Sequence, residues 1–182
     1  QSAETVGGTG NSSNDAATAG TPGMEGTVAI RPGDQIPLIP RQLLKLHADY
    51  SVSSSFALSA GMTAVASSFA RGNENNAHQA DGINYLGSGR SDGYAVFDLM
   101  ARYSVTPRWQ VTAQINNLFD ARYNTAAQLG ATGFDARGNF VARPLGGSAA
   151  DGYPLLQSTF YAPGAPRAIW LSLRYALEPA TR

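Results

Sequence analysis

Apolar and polar residues alternate with a period of two in five stretches of this chain. In 42–52, Leu44, Leu46, Ala48 and Tyr50 alternate with Lys45, His47, Asp49 and Ser51. From Phe56 onwards, Phe56, Leu58, Ala60, Met62 and Ala64 form the apolar set; in 94–105 it is Phe97, Leu99, Ala101, Tyr103 and Val105. Trp109, Val111, Ala113 and Ile115 follow, and Ile169, Leu171, Leu173, Tyr175 and Leu177 close the series. A period of two places alternate side chains on opposite faces of an extended chain, so five amphipathic β-strands are expected and no helices.

The connections have two lengths. "SVSSS" (51–55) and "SVTPR" (104–108) are short, whereas 67–93 and 120–166 are long and polar. Tyr50 and Phe56 flank the first short turn, Tyr103 and Trp109 the second, and Tyr175 ends the last strand on the same side. All five fall on the apolar face. Short turns at one end, long loops at the other and a level of outward aromatics describe a bacterial outer-membrane barrel wall. The expected fold class is therefore all-β: about five or six antiparallel transmembrane β-barrel strands carrying long extracellular loops.

The first 23 residues are rich in Gly, Ser, Thr, Ala and Asn, which bury too little apolar surface to offset ordering entropy. Residues 1–30 are accordingly expected to be a mobile loop, with "MEGTVAI" (24–30) as the end of a strand. "RPGDQIPLIPR" (31–41) has three prolines, which forbid a central strand. Barrel sequence is expected over 31–177 and a short tail over 178–182.

Composition narrows the function classes. Net charge is zero and charged residues are 14% of the chain, with no basic stripe, so no nucleic-acid partner is expected. There is no cysteine, which removes disulfides, thiolate metal sites and a cysteine nucleophile. No apolar run reaches the ~18 residues of a membrane helix. "QSAETVGGTG" lacks the basic and apolar regions of a signal peptide.

Candidate chemistry is thin. His47 lies on the polar face between Lys45 and Asp49, where a wet lumen is polar in any case. His78 sits in "RGNENNAHQAD" (71–81) with Glu74 and Asp81, but one histidine among scattered carboxylates does not make a metal site. "DARGNF" (135–140) has no calcium-loop frame, and "GSGRSDG" (87–93) lacks a P-loop lysine. No catalytic residue, metal or cofactor is expected. Lys45, Asp49, Asp98, Arg102 and Arg174 share the polar face, where cross-strand pairs of opposite sign are the simplest expectation.

Three pieces of sequence then resemble one family in order and spacing. "IPLIPR" (Ile36 to Arg41), "NNLFDARY" (Asn116 to Tyr123) and "PGAPRAIWLSLRYAL" (Pro163 to Leu177) are similar to the C-terminal end of the barrel of TonB-dependent outer-membrane receptors. The resemblance covers 36–177, with Asn116, Asn117, Leu118, Phe119, Asp120, Tyr123, Pro166 and Arg167 as its structural motif. It implies a larger barrel of about 22 strands with a plugged lumen, of which this chain is the C-terminal part. It also implies a parent that imports a scarce nutrient such as a ferric siderophore. The implied partners are outer-membrane lipid, the solute, and an inner-membrane energising complex reached through N-terminal parts not present here. Arg71, Asn73, Glu74 and Asn76 are the loop candidates for solute contact, because exposed loops carry recognition. The tail "ALEPATR" departs from the family in lacking a terminal aromatic. Two other readings stay open: a small outer-membrane β-protein acting as an adhesin or passive pore, and a soluble secreted β-domain.

Overall fold

The protein is described by a computed structural model covering residues 4–21, 25–140 and 156–177. The first strands in chain order are β1 (Glu4–Gly7), β2 (Thr27–Ile30), β3 (Leu43–Ser51), β4 (Phe56–Val65), β5 (Ser68–Phe69) and β6 (Tyr85–Leu86). They are followed by β7 (Arg90–Ser91), β8 (Tyr94–Ser104), β9 (Trp109–Asn116), β10 (Asn124–Thr132), β11 (Leu156–Pro163) and β12 (Ala168–Tyr175). One helical turn, α1 (Asp15–Thr18), lies between β1 and β2. The chain forms two compact units.

The wall unit holds the five strands the alternation predicts, as one antiparallel sheet in the order β12-β9-β8-β4-β3. The order is a meander, since β8 follows β4 and β12 follows β9 once the two long excursions are passed over. Its short turns are closed by hydroxyls, as Ser and Thr do in tight turns. Ser53 Oγ accepts from the Phe56 N–H at 3.1 Å, and Thr106 Oγ1 accepts from the Trp109 N–H at 3.1 Å.

Register keeps the two faces distinct across the sheet. Leu46 pairs with Met62 and Met62 with Phe97; Leu99 pairs with both Ala60 and Ile115, and Ile115 with Ile169. This apolar face is uncovered: Leu46 is 55% exposed and Leu171 79%. The buried apolar residues among those described, Val28, Ala70, Tyr85, Ala127, Leu129 and Leu156, all belong to the other unit. An apolar sheet face without a core beneath it is a wall built to meet lipid. The aromatics beside the short turns pair across strands, with ring centroids 6.3 Å apart for Phe56–Tyr103 and 4.7 Å for Trp109–Tyr175. Strand length agrees: β4 has 10 residues, about 34 Å extended and roughly 26 Å tall at the usual barrel tilt, matching an apolar band of about 25 Å.

Adjacent positions on β8 give a direct check. Leu99→Arg should destabilise the chain in bilayers by about 2–4 kcal/mol, whereas Met100→Arg, facing Ser59 and Gln114, should cost under about 1 kcal/mol. Urea titration in lipid vesicles measures both, and equal costs would contradict the assignment of faces.

The loop unit contains Gln1–Arg41, Ser67–Asp92 and Asn124–Pro163. Within 1–30, the described residues carry regular structure. β1 pairs antiparallel with β2, from Glu4↔Ile30 to Gly7↔Thr27. Asn14 caps α1 by accepting from the Ala17 N–H at 2.6 Å, and both Asn11 and Asn14 are fully buried. Hydrogen bonds supply the order that apolar burial does not. The long excursions are likewise structured: β10 pairs with β11, β6 adds to β11 in parallel, and β5 pairs with β7. The expected tail, 178–182, lies outside the described residues.

Candidate functional site

The sequence motif "NNLFDARY" becomes a clasp within the wall unit. β9 ends at Asn116, whose Oδ1 accepts from Gln114 Nε2 at 2.7 Å. Asn117 then turns left-handed (φ 51°), a conformation asparagine tolerates better than most residues. It is 3% exposed and its amide is fully used. Nδ2 donates to the Ala121 carbonyl at 2.9 Å and to the Ala165 carbonyl at 3.1 Å, while Oδ1 accepts from the Ala121 N–H at 2.8 Å. Its own N–H donates to Asp98 Oδ1 on β8 at 3.0 Å.

The rest of the motif extends the clasp. The Leu118 N–H donates to the Phe97 carbonyl at 2.7 Å, and Phe119 meets the Phe97 ring edge-on at 5.3 Å. Asp120, also left-handed (φ 53°), accepts the Arg167 N–H at 3.2 Å, just past Pro166. The Tyr123 carbonyl accepts from the Gly164 N–H at 2.8 Å, and its ring stacks on Tyr94 at 4.3 Å. The two feet of the excursion that leaves β9 and returns to β12 are thus tied together. The sequence offered "NNLFDARY" and "PGAPRAIWLSLRYAL" as separate pieces of one resemblance; that "PGAPR" is the other half of the same device shows only in the fold.

The loop candidates for solute contact fall in the loop unit and differ in what they offer. Arg71 is exposed, with its backbone bridged to Ala127 and Leu129. Asn73 is 1% exposed: Nδ2 donates to the Gly89 carbonyl at 3.0 Å and Oδ1 accepts from the His78 N–H at 3.1 Å. Asn76 spends its amide on both backbone groups of Gln35, at 2.6 and 2.9 Å. Glu74 accepts the Gly72 N–H at 2.9 Å through Oε1, and its Oε2 is buried without a hydrogen bond. Of the four, only Arg71 presents a free head to solvent. Burial, not position in a loop, separates them, and burial has no signal in a run of polar letters.

His78, Glu74 and Asp81 do not assemble a metal centre; no cluster of three such ligands exists among the described residues. His78 is instead an inward residue, whose Nδ1 accepts the Ser12 N–H at 3.0 Å. Asp81 closes its own turn, its Oδ1 accepting from Ile83, Asn84 and Tyr85 N–H groups at 2.8 Å each, and these hold its carboxyl below the usual range.

On the polar face of the wall, the expected cross-strand charge pairs are replaced by other contacts. The ion pair found among the described residues runs along β3, from His47 Nε2 to Asp49 Oδ2 at 3.1 Å, and Ser59 Oγ donates to Asp49 across the strands. Asp98 serves the clasp rather than an arginine. Arg102 and Arg174 lie opposite Thr112 and Gln110, neither of which carries a charge.

Comparison with known proteins gives a family match. The family described as TonB dependent receptor-like, beta-barrel matches residues 6–118, more than half of the chain. No curated protein matches. Among solved structures, the siderophore receptor PiuA from Acinetobacter baumannii is 20% identical over 78% of this chain, with a TM-score of 0.49. The ferripyoverdine receptor of the outer membrane of Pseudomonas aeruginosa is 19% identical over 82%, also at 0.49. The open form of the ferric-catecholate import receptor Fiu from E. coli K12 is 18% identical over 75%, at 0.45. The chain spans 15%, 16% and 15% of those proteins' lengths, respectively.

Proposed function

Because the chain belongs to the TonB-dependent receptor-like β-barrel family, we propose that it supplies wall strands and outward excursions to an outer-membrane receptor that imports a scarce solute. The observation that carries this reading is the five-strand meander, apolar and uncovered on one face and polar on the other. The solute is a ferric siderophore or another large nutrient, and energy for its release comes from an inner-membrane complex acting through parts of the parent outside this chain. The outer edges of β3 and β12 have no partner among the described residues. Backbone groups in lipid require one. Further strands of a larger barrel meet that need better than a small five-strand adhesin or pore would, and a soluble domain would not leave its apolar face bare.

Uptake of radiolabelled ferric siderophores by cells expressing the complete coding sequence tests this. Uptake should be saturable and lost when the inner-membrane energiser is deleted; binding and transport that both survive its deletion would remove the receptor reading. Arg71 is the proposed solute contact in the described loops. Arg71→Ala should raise the half-saturation concentration for an anionic ferric siderophore about tenfold, the loss of one charge-assisted contact. Its level in the outer membrane should not change. Unaltered half-saturation would exclude Arg71.

A further inference from the structure

Two segments of the loop unit meet through a set of six hydrogen bonds. Asn11 Nδ2 donates to Asn75 Oδ1 at 2.8 Å, and to the Gly72 carbonyl and Asn73 Oδ1 at 3.3 Å each. Asn75 Nδ2 donates to Ser13 Oγ at 2.8 Å, and the Gln79 N–H donates to Ser12 Oγ at 2.8 Å. The sixth contact is the Ser12 N–H donated to His78 Nδ1 at 3.0 Å. Asn11 and Asn73 are buried and His78 is 6% exposed, so the seam is closed to water at its centre. It is also the one place among these contacts where an acceptor can be abolished by a proton.

We propose that the seam between Thr9–Asn14 and Gly72–Gln79 is an acid-released latch keyed by His78. Because Nδ1 accepts a hydrogen bond, the neutral ring carries its proton on Nε2, which is buried. A second proton must go to Nδ1, where it would oppose the Ser12 N–H, donor against donor. The ring cannot turn away freely: it lies edge-on to Tyr85 at 5.9 Å and against Gly89, where even a Cβ would come within 2.6 Å of His78 Cδ2. The titratable groups around it are Asp81, which favours the charged ring through space, and Tyr85, whose ring lies edge-on to it. Thr9–Asn14 carries no charge, and Arg90 beyond Gly89 is engaged with Ser67 and the Phe69 ring. Burial outweighs the Gly87 backbone and Asp81, both of which favour the charged ring, and holds His78 below the usual histidine range.

The sign follows from that depression. The closed seam binds no proton at His78 where the opened, solvated ring does, so closure is fully favoured above about pH 6.5 and weakens as pH falls towards the depressed value. Opening gains up to about tenfold per pH unit within that window. Hydrogen exchange on the protein expressed from the complete coding sequence, folded in detergent micelles and compared as protection factors between pH 7.5 and pH 5, tests this. The Ser12 and Gln79 amides should lose protection about tenfold or more, while the Gly8 amide, bonded to the Gly26 carbonyl, should hold. H78N, whose side-chain oxygen can replace Nδ1 as acceptor but cannot be protonated, should show no pH dependence at Ser12. Three results would overturn the latch: protection at Ser12 that ignores pH, the same pH response in H78N, or Gly8 opening in step with Ser12. The Ser12–Gly8 comparison is internal to the wild-type chain, so it decides even if H78N does not fold.

Discussion

Asn117→Ala should destabilise the wall unit by about 3–4 kcal/mol, the larger of the two effects expected at the clasp. Three side-chain hydrogen bonds are lost, at about 1 kcal/mol each, and the Ala121 N–H and Ala165 carbonyl lose their Asn117 partner. Alanine at a left-handed φ adds roughly 1 kcal/mol, because its Cβ crowds the following carbonyl in that conformation. Two companions separate these terms. Asn117→Gly removes the conformational cost and should recover about 1 kcal/mol relative to alanine. Asn117→Asp keeps the acceptor for Ala121 but loses both donors and sets a carboxylate against two carbonyls, so it should be no better than alanine. Urea unfolding in bilayers gives the order Asn > Gly > Ala ≥ Asp. A cost below about 1 kcal/mol for Asn117→Ala would show that the clasp does not hold the strand end.

What could be read from the sequence divides along the same line as the two units. The five wall strands were legible because lipid on one side and water on the other impose strict alternation, as in Leu44, Leu46 and Ala48 against Lys45, His47 and Asp49. The loop unit was not, because beside a small apolar cluster of Ala70, Ala127 and Leu129 its order rests on polar contacts that leave no periodic trace. Asn11, Asn14, Asn73, Gln157 and Thr159 are buried there, each in a run whose composition reads as loop. β10 and β11 were hidden for a related reason. "NTAAQLGAT" buries only Ala127, Leu129 and Thr132, and "LQSTFYAP" puts Gln157 and Thr159 inward, so neither shows an apolar face. The same blindness misplaced the site. Asn73 and Asn76 look like recognition residues in a polar loop, yet their amides are consumed by Gly89, His78 and Gln35. The clasp lay between these extremes: its motif stood out in the sequence, but its partner, 48 residues away at Ala165, could be found only in three dimensions.

Gly164→Ala should be the second severe lesion, and for a steric reason. A Cβ on Gly164 would sit 2.2 Å from two Tyr123 ring carbons and 2.5 Å from a third. That ring also packs on Tyr94, with centroids 4.3 Å apart, and the Gly164 N–H is tied to the Tyr123 carbonyl at 2.8 Å. The added methyl must displace the ring or break the hydrogen bond, at a cost of about 2–3 kcal/mol. Tyr123→Ala alone should cost less than about 2 kcal/mol, the loss of one partly exposed aromatic contact. The informative measurement is the double variant. If the clash causes the damage, Gly164→Ala in a Tyr123→Ala background should be nearly silent, giving a coupling of about 1.5–2.5 kcal/mol in a bilayer urea cycle. Additive costs would mean that glycine is needed at 164 for its backbone alone. Strong coupling would establish that the aromatic closing "NNLFDARY" and the glycine opening "GAPR" are one contact, which holds the last strand beside β9 across an excursion of some forty residues.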